Sequence, residues 1–139
     1  AEDPWSGQVA FPGGRWHAQD KSSLETALRE AKEEVGIDLL RNGRILGSLS
    51  DARSLLKNVI VTSYVAWVPN TIEIEPNDEV AEYFWAPIKD LRRVSRFPVA
   101  SQRGVALKKA YVFEEHVIWG LTARIIDDLL KCMKSIKLA

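Results

Sequence analysis

The hydrophobic and polar positions along the chain predict an α+β fold with two substantial helices. Residues 22–36 place apolar side chains at helical spacing, namely Leu24, Ala27, Leu28, Ala31 and Val35. Ser22 followed by Glu25 predicts a capping box at the start of this helix, and Gly36 stands where a helix ends. Residues 117–136 carry a longer apolar stripe, which predicts a second amphipathic helix.

Strands are predicted between these two helices. Short runs of apolar, β-branched or aromatic residues occur at four places: 7–11, 44–49, 58–68 and 82–87. Pro87 and the residues after it predict a short helix over 88–93. Because strands and helices mix without a regular alternation, the pattern predicts one α+β domain over residues 1–139.

Composition and charge narrow the class of protein. Lys+Arg and Asp+Glu each number 19, and a net charge of zero argues against general nucleic-acid binding. The single cysteine, Cys132, excludes an intrachain disulfide and favours a reducing, cytoplasmic compartment. No apolar run approaches the roughly 20 residues that a membrane span needs, so no membrane partner is expected.

Three glutamates share one side of the first predicted helix. At about 100° per residue, Glu30, Glu33 and Glu34 fall within about 100° of arc, beside the apolar stripe rather than opposite it. They form either a solvated face, paired with Arg29 and Lys32, or a site for a divalent cation. Clustered carboxylates repel one another unless a cation compensates, and oxygen ligands are what Mg²⁺ requires.

A glycine turn precedes the same helix. Pro12 is followed by Gly13 and Gly14, and a short loop then leads to the helix. Glycines let the backbone approach a ligand closely and offer N–H groups to a phosphate. Such a turn is common by itself, but beside three glutamates it favours a site for a cation and a phosphate.

Together, the segments GQVAFPGG and TALREAKEEVGI strongly resemble the Nudix box, the signature sequence of the Nudix hydrolases. In that family a glycine is followed at a fixed distance by Arg-Glu-(apolar)-x-Glu-Glu-x-Gly-(apolar), which residues 29–37 match. The resemblance implies a Nudix box at about residues 14–37 and an α/β/α sandwich around a mixed β-sheet. It also implies that Mg²⁺ or Mn²⁺ supports hydrolysis of a nucleoside diphosphate linked to another group.

The resemblance implies roles for the matched residues. The metal ligands would be Glu30, Glu33 and Glu34, and the catalytic residues would be Glu30, Glu33, Arg29 and Glu79. Arg29 would orient a glutamate through charge-assisted hydrogen bonds. Glu79 is chosen because the family often places an acid in this region, although a solvated loop carboxylate fits equally well. The substrate-binding residues would be Gly13, Gly14 and Arg15.

The chain departs from the usual box before the helix. The family usually has a glutamate eight positions before the arginine, where this chain has Lys21, and the loop after Gly14 is one residue longer. Asp20 is the nearest acid, so either Asp20 or Glu79 is expected to supply the missing carboxylate. The lengthened loop and the distal segment 116–125 are similar to the branch that contains coenzyme A pyrophosphatases.

Three functions remain open at this point. The first is hydrolysis of a small-molecule nucleoside diphosphate, with coenzyme A and ADP-ribose among the candidates. The second is a nucleotide-binding module with weak or no catalysis, and the third is a structural domain that forms a dimer. The fold implied by the resemblance has one or two strands before the segment with which this sequence begins. We therefore expect that the first strand or strands are missing, or that a partner subunit in a homodimer completes the sheet.

The tryptophans leave one further alternative. Some of them could form a stacking platform for a nucleobase, but aromatic residues of this kind are more often part of the core, which is the interpretation preferred here. The five are Trp5, Trp16, Trp67, Trp85 and Trp119.

Overall fold

The computed structural model describes residues 8–54 and 58–136, and that part of the chain contains three α-helices and seven strands. The helices are α1 (Ser23–Val35), α2 (Leu39–Asn42) and α3 (Leu121–Ser135). The strands are β1 (Arg44–Ser48), β2 (Ala52–Ser54), β3 (Val59–Val61), β4 (Tyr64–Trp67), β5 (Arg92–Ser101), β6 (Gly104–Phe113) and β7 (His116–Trp119). A 3₁₀-helix covers Ile88–Asp90.

The chain divides into two compact units, each of which is described separately. One unit is Pro12–Phe84, and the other consists of the segments on either side of it. In the first unit β1 pairs with β4 and β2 pairs with β3, both antiparallel. In the second unit β5, β6 and β7 form a three-stranded antiparallel sheet in that order.

Helix α1 forms where its local signals predict it. The Ser22 side chain accepts a hydrogen bond from the N–H of Glu25 at 3.2 Å, which satisfies a donor that the first turn would leave unpaired. Gly36 ends the helix with φ +73°, in the left-handed region that glycine adopts without strain. Its N–H donates to the carbonyl of Lys32 at 3.1 Å.

The end of α1 is tied to a later segment of the same unit. The backbone N–H of Glu75 donates to the Val35 carbonyl, and that of Asn77 donates to the Glu34 carbonyl, both at 2.9 Å. Helix carbonyls in the last turn have no partner within the helix, so these bonds satisfy them. Residues 75–79 are therefore held against the end of α1 that carries the glutamates.

The second unit has its core between the three-stranded sheet and α3. The residues with the least exposure there are Ala110, Tyr111, Ile118, Ala123 and Ile126. The Tyr111 hydroxyl donates to Asp127 on α3, and Arg93 on β5 lies 3.5 Å from the same carboxylate. Thr122 on α3 donates to the carbonyl of Val9 at 3.0 Å, which ties the first described segment to this helix.

Several predicted elements need correction. Residues 8–11 and the region 82–87 are not strands, and residue 7 lies outside the described residues. The strand predicted over 58–68 is divided into β3 and β4, and residue 57 before it lies outside the described residues. The short helix ends at Asp90, because β5 begins at Arg92. The last helix begins at Leu121, so Ile118 belongs to β7 rather than to the helical stripe.

The mixed α and β content is confirmed. Within the described ranges the strands form sheets of two, two and three strands, and every pairing is antiparallel. A single mixed sheet inside a sandwich therefore stays a prediction. None of the helices in the described part of the chain combines the length and apolar character that crossing a bilayer requires.

Replacing Gly36 by Ala should destabilise the fold. A Cβ at this position would lie 2.8 Å from the Cβ of Glu75, and alanine at φ +73° costs about 1–2 kcal/mol by itself. We expect a free energy of unfolding lower by at least about 1 kcal/mol in urea titrations. Gly36→Asn is the control, because asparagine tolerates the left-handed region better but keeps the Cβ contact. Equal stability of Gly36→Ala and the parent would contradict the proposed role of the glycine.

Candidate metal and phosphate site

The side chains of Glu30 and Glu34 lie together on α1, one helical turn apart. The two carboxyl groups lie within hydrogen-bonding reach of each other. Burial raises the pKa of Glu34 to about 7, and the bond to Glu30 and the charge of that residue add to the rise. The N–H of Gly13 donates to Glu34 and opposes the rise. Two carboxyl groups are thus held together in a place where both cannot easily be charged.

Glu79 adds a third negative group at this place. Its charge also raises the pKa of Glu34, after the contributions of burial and of Glu30. The N–H of Glu79 donates to the side-chain oxygen of Asn77 at 3.0 Å, and Asn77 is bonded through its own N–H to the Glu34 carbonyl. The turn that carries Glu79 is therefore fixed to the helix that carries the other two carboxyl groups.

Gly14 lies directly against the carboxyl group of Glu30. A Cβ at this position would lie 3.0 Å from Glu30 Cγ and closer still to the carboxylate. Real Cβ atoms do not approach other atoms so closely, so a side chain at position 14 would displace Glu30. The close approach of loop and helix explains why this position is glycine.

Arg29 connects the loop to the glutamates through all five of its N–H groups. Nη1 donates to Glu30 Oε1 at 2.9 Å and to Glu33 Oε2 at 3.3 Å. Nη2 donates to the carbonyl oxygen of Arg15 at 3.1 Å and to Asp20 Oδ2 at 3.1 Å. Nε donates to Asp20 Oδ1 at 3.2 Å. The planar guanidinium therefore fixes the positions of two glutamates, one aspartate and the loop backbone relative to one another.

Asp20 is 6% exposed, and its carboxylate is fully engaged. Besides Arg29, it accepts hydrogen bonds from the N–H of His17 at 2.8 Å and from the hydroxyl of Thr26 at 2.9 Å. The hydrogen bonds from Arg29, and then that from His17, lower the pKa of Asp20 to about 2. This aspartate is thus a partner for Arg29, whereas Glu79 is the acid that lies near Glu34.

Comparison with known proteins decides the family. A family model described as the NUDIX domain matches residues 1–109. The chain belongs to the Nudix family.

Named relatives agree with this assignment. The uncharacterized Nudix hydrolase NudL of Yersinia enterocolitica is 42% identical over 128 residues, which cover 89% of this chain and 65% of the relative. The proteins of the same name from Pectobacterium atrosepticum and Photorhabdus laumondii are each 39% identical, and the match covers 66% and 67% of their lengths. The chain thus spans about two thirds of the length of these Nudix hydrolases.

The Nudix-box residues chosen from the sequence occupy different environments. Glu30 is nearly buried and bonded to Arg29, whereas the Glu33 side chain is 56% exposed. Gly13 contributes its N–H to Glu34, and Gly14 makes room for Glu30. Arg15 contributes its backbone carbonyl to Arg29, while the residue itself is exposed. The catalytic, metal-binding and substrate-binding roles assigned to these residues stay predictions.

Two residues of this Nudix site did not emerge from the sequence. Thr26 is buried one turn before Glu30, on the same side of α1, and its hydroxyl is bonded to Asp20. Its position on the arc of the glutamates was a signal that could have identified it. Asn77 supports the turn of Glu79, and asparagine two residues before a bonded N–H is typical of such turns.

The carboxyl groups of Glu30 and Glu34 are of the chemical type that a divalent cation binds. Carboxylate oxygens are the ligands that Mg²⁺ and Mn²⁺ prefer, and the raised pKa of Glu34 marks a place where a positive charge would offset repulsion between carboxylates. Glu30, Glu33 and Glu34 would hold the ion, with Glu79 close to Glu34. To bind the ion, the carboxylate of Glu33 would have to move away from its hydrogen bond with Arg29.

The substitution Asp20→Asn should lower the thermal stability of the protein, and the size of the effect should depend on pH. Because the pKa of Asp20 is lowered from 3.8 to about 2, its contribution is present above about pH 4 and is lost as the pH falls towards 2. We expect the variant to melt at a lower temperature than the parent at pH 7, and the difference to shrink between pH 4 and pH 2.5. Circular dichroism melts across that range measure this, with the exposed Asp78→Asn as control. An equal difference at pH 7 and pH 2.5 would rule out the ion pair as its source.

Proposed function

We propose that this chain hydrolyses the diphosphate linkage of a nucleoside diphosphate derivative, with Mg²⁺ or Mn²⁺ as cofactor. The observation that carries the proposal is that Glu34 lies against Glu30 and near Glu79, and that Glu30 lies against the glycine turn. Nudix family membership and relatives named as hydrolases support the same reaction class. Glu30 and Glu34 would supply cation ligands and Glu79 a further carboxyl group, all within one unit of the fold.

The chain's own residues would each supply one part of the reaction. A divalent cation bound there would neutralise diphosphate charge, polarise a phosphoryl oxygen and lower the pKa of a bound water. Arg29 keeps Glu30 in place, so that this ligand needs little reorganisation during the reaction. The exposed Arg15 would meet a phosphate from the loop side.

Glu79 is the proposed general base. It is exposed and lies near Glu34, and the hydrogen bonds of Arg29 go to other acceptors, so the carboxylate of Glu79 would be available to accept a proton. Water would attack phosphorus and give its proton to Glu79, while the bond from that phosphorus to the bridging oxygen breaks. The bridging oxygen leaves with the electron pair, and two phosphate-bearing products result.

Coenzyme A and ADP-ribose are the proposed substrate candidates. The lengthened loop and the segment 116–125 support the coenzyme A pyrophosphatase branch through resemblance. The relatives are named as Nudix hydrolases, and their names give no substrate. The names therefore support the reaction class alone. Residues outside the box are expected to discriminate between these two candidates.

A nucleotide-binding module with weak catalysis is the second candidate. Lys21 at the usual glutamate position favours it, because that glutamate would be missing from the site. The ion pair between Asp20 and Arg29 weakens this argument, since Arg29 has an acidic partner from the lengthened loop. Efficient hydrolysis is thus the better-supported proposal.

Other features of the protein stay proposals. The family model matches residues 1–109, and we propose that one Nudix domain with an α/β/α sandwich around a mixed sheet extends over residues 1–139. The single cysteine supports a cytoplasmic location. A homodimer that completes the sheet also stays a proposal.

Neutralising the proposed ligands should abolish hydrolysis. The parent is incubated with coenzyme A, ADP-ribose, dinucleotides and nucleoside triphosphates, with Mg²⁺ or Mn²⁺, and mass spectrometry identifies the products. On the responsive substrate, Glu33→Gln and Glu34→Gln should each lower kcat by more than about a hundredfold, since loss of a ligand exceeds the effect of its supporting groups. Glu25→Gln, on the first turn of α1, is the matched control. Binding without turnover across the whole panel would favour the module instead.

The substitution Glu79→Gln distinguishes between a general base and a metal ligand at this position. If Glu79 accepts the proton, its amide variant should lower kcat by about 10²–10⁴-fold, while the affinity for Mn²⁺ changes little. Mn²⁺ binding followed by electron paramagnetic resonance gives the second measurement, and the neighbouring Asp78→Asn serves as control. A parallel loss of Mn²⁺ affinity and activity would make Glu79 a ligand rather than the base.

A further inference from the structure

Trp16 is exposed although it lies in the loop between the glycine turn and α1. Its exposed fraction is 63%, so the interpretation of Trp16 as a core residue was wrong. Tryptophan is a costly residue to leave in water, because its ring has a large apolar surface. Trp67 and Trp85 are exposed to a similar degree, so what distinguishes Trp16 is its position beside the candidate active site.

Hydrogen bonds fix the loop around this ring. The indole N–H of Trp16 donates to the carbonyl oxygen of Asp20 at 2.9 Å. The residue before it, Arg15, is held through its carbonyl by Arg29, and the residue after it, His17, is held through its N–H by Asp20. Both neighbours and the ring edge are thus tied to one cluster, while the rest of the indole faces solvent.

The same cluster places the ring close to the glutamates. Gly14 abuts the Glu30 carboxyl group, and two peptide units separate Gly14 from Trp16, so their Cα atoms are at most about 7.6 Å apart. Asp20, which anchors the indole, shares the Arg29 guanidinium with Glu30. A molecule whose phosphates lie at the glutamates can therefore reach the indole with the group attached to those phosphates.

We propose that the exposed indole of Trp16 is the stacking platform for the nucleobase of the substrate. The inference rests on the proposed function and deepens it, because it assigns the heteroaromatic half of the substrate to the loop side of the site. Flat heteroaromatic rings stack on tryptophan whatever hydrogen-bonding groups they carry, so the platform accepts several bases. Purines, which have the larger ring, bind more tightly than pyrimidines.

Other exposed tryptophans provide a contrast within the same protein. Trp67 is 57% exposed but lies on β4, where its backbone pairs with Arg44 rather than with the glycine loop. Its exposure therefore matches that of Trp16 without the connection to Arg29 and Glu30. This makes Trp67→Ala the matched control for loss of an exposed indole.

Titration with two ligands that differ only in the base tests the platform. Isothermal titration calorimetry, with Mg²⁺ present, measures adenosine 5′-monophosphate and ribose 5-phosphate against the parent, Trp16→Ala, Trp16→Phe and Trp67→Ala. Loss of stacking should weaken adenosine monophosphate binding about tenfold in Trp16→Ala and leave ribose 5-phosphate unchanged. Trp16→Phe, which keeps a ring but loses the indole N–H, should retain most of the affinity. Trp67→Ala should behave like the parent, and uridine 5′-monophosphate should bind more weakly than the adenosine compound.

The outcomes separate this inference from the proposed function. Equal affinity of the parent for the two ligands, no binding of either, or unchanged adenosine monophosphate binding in Trp16→Ala would overturn the platform. Equal weakening of both ligands in Trp16→Ala would also overturn it, since that result indicates general disturbance of the loop. Base-dependent binding that needs Trp16, together with no hydrolysis of any substrate in the panel, would support the platform and overturn the hydrolase alone.

Discussion

The guanidinium of Arg29 donates to two glutamates, to an aspartate and to a loop carbonyl, and the candidate site depends on this distribution. Arginine suits the position because its five donors lie in one rigid plane and its charge is permanent. Asp20 is held on one edge of the plane, and Glu30 and Glu33 on another. The loop and the helix thus share one fixed geometry, although fewer than twenty residues separate Gly14 from Glu33 in the chain.

The remaining acidic groups are arranged against their own repulsion. Glu34 lies against the carboxyl group of Glu30 and near Glu79, which is an unfavourable arrangement for three charged groups unless a cation or a proton is present. The hydrogen bond from the Gly13 N–H offsets part of this repulsion, and the backbone hydrogen bonds between α1 and residues 75–77 hold the segments together against the rest. A site with these properties is stabilised by ligand binding, because the ligand removes the repulsion that the fold maintains.

Local signals predicted α1 well and the strands less well. Capping at Ser22 and Gly36 depends on residues within one turn, so the sequence contains all the information needed. A strand depends on a partner far along the chain, and residues 8–11 look suitable for a strand but pair with none in the described structure. The hairpin of β5 and β6 went unpredicted because six Lys and Arg residues interrupt its apolar pattern.

The sequence by itself determined the family, the helix and the common arc of Glu30, Glu33 and Glu34, because helical geometry relates residues three and four apart without reference to anything else. Only the tertiary structure decided that Asp20 neutralises Arg29, that Glu79 lies near Glu34, and that the indole of Trp16 faces solvent. Each of these depends on how a loop folds back onto the helix. Loop paths follow from hydrogen bonds between distant residues, which no local pattern in the chain encodes.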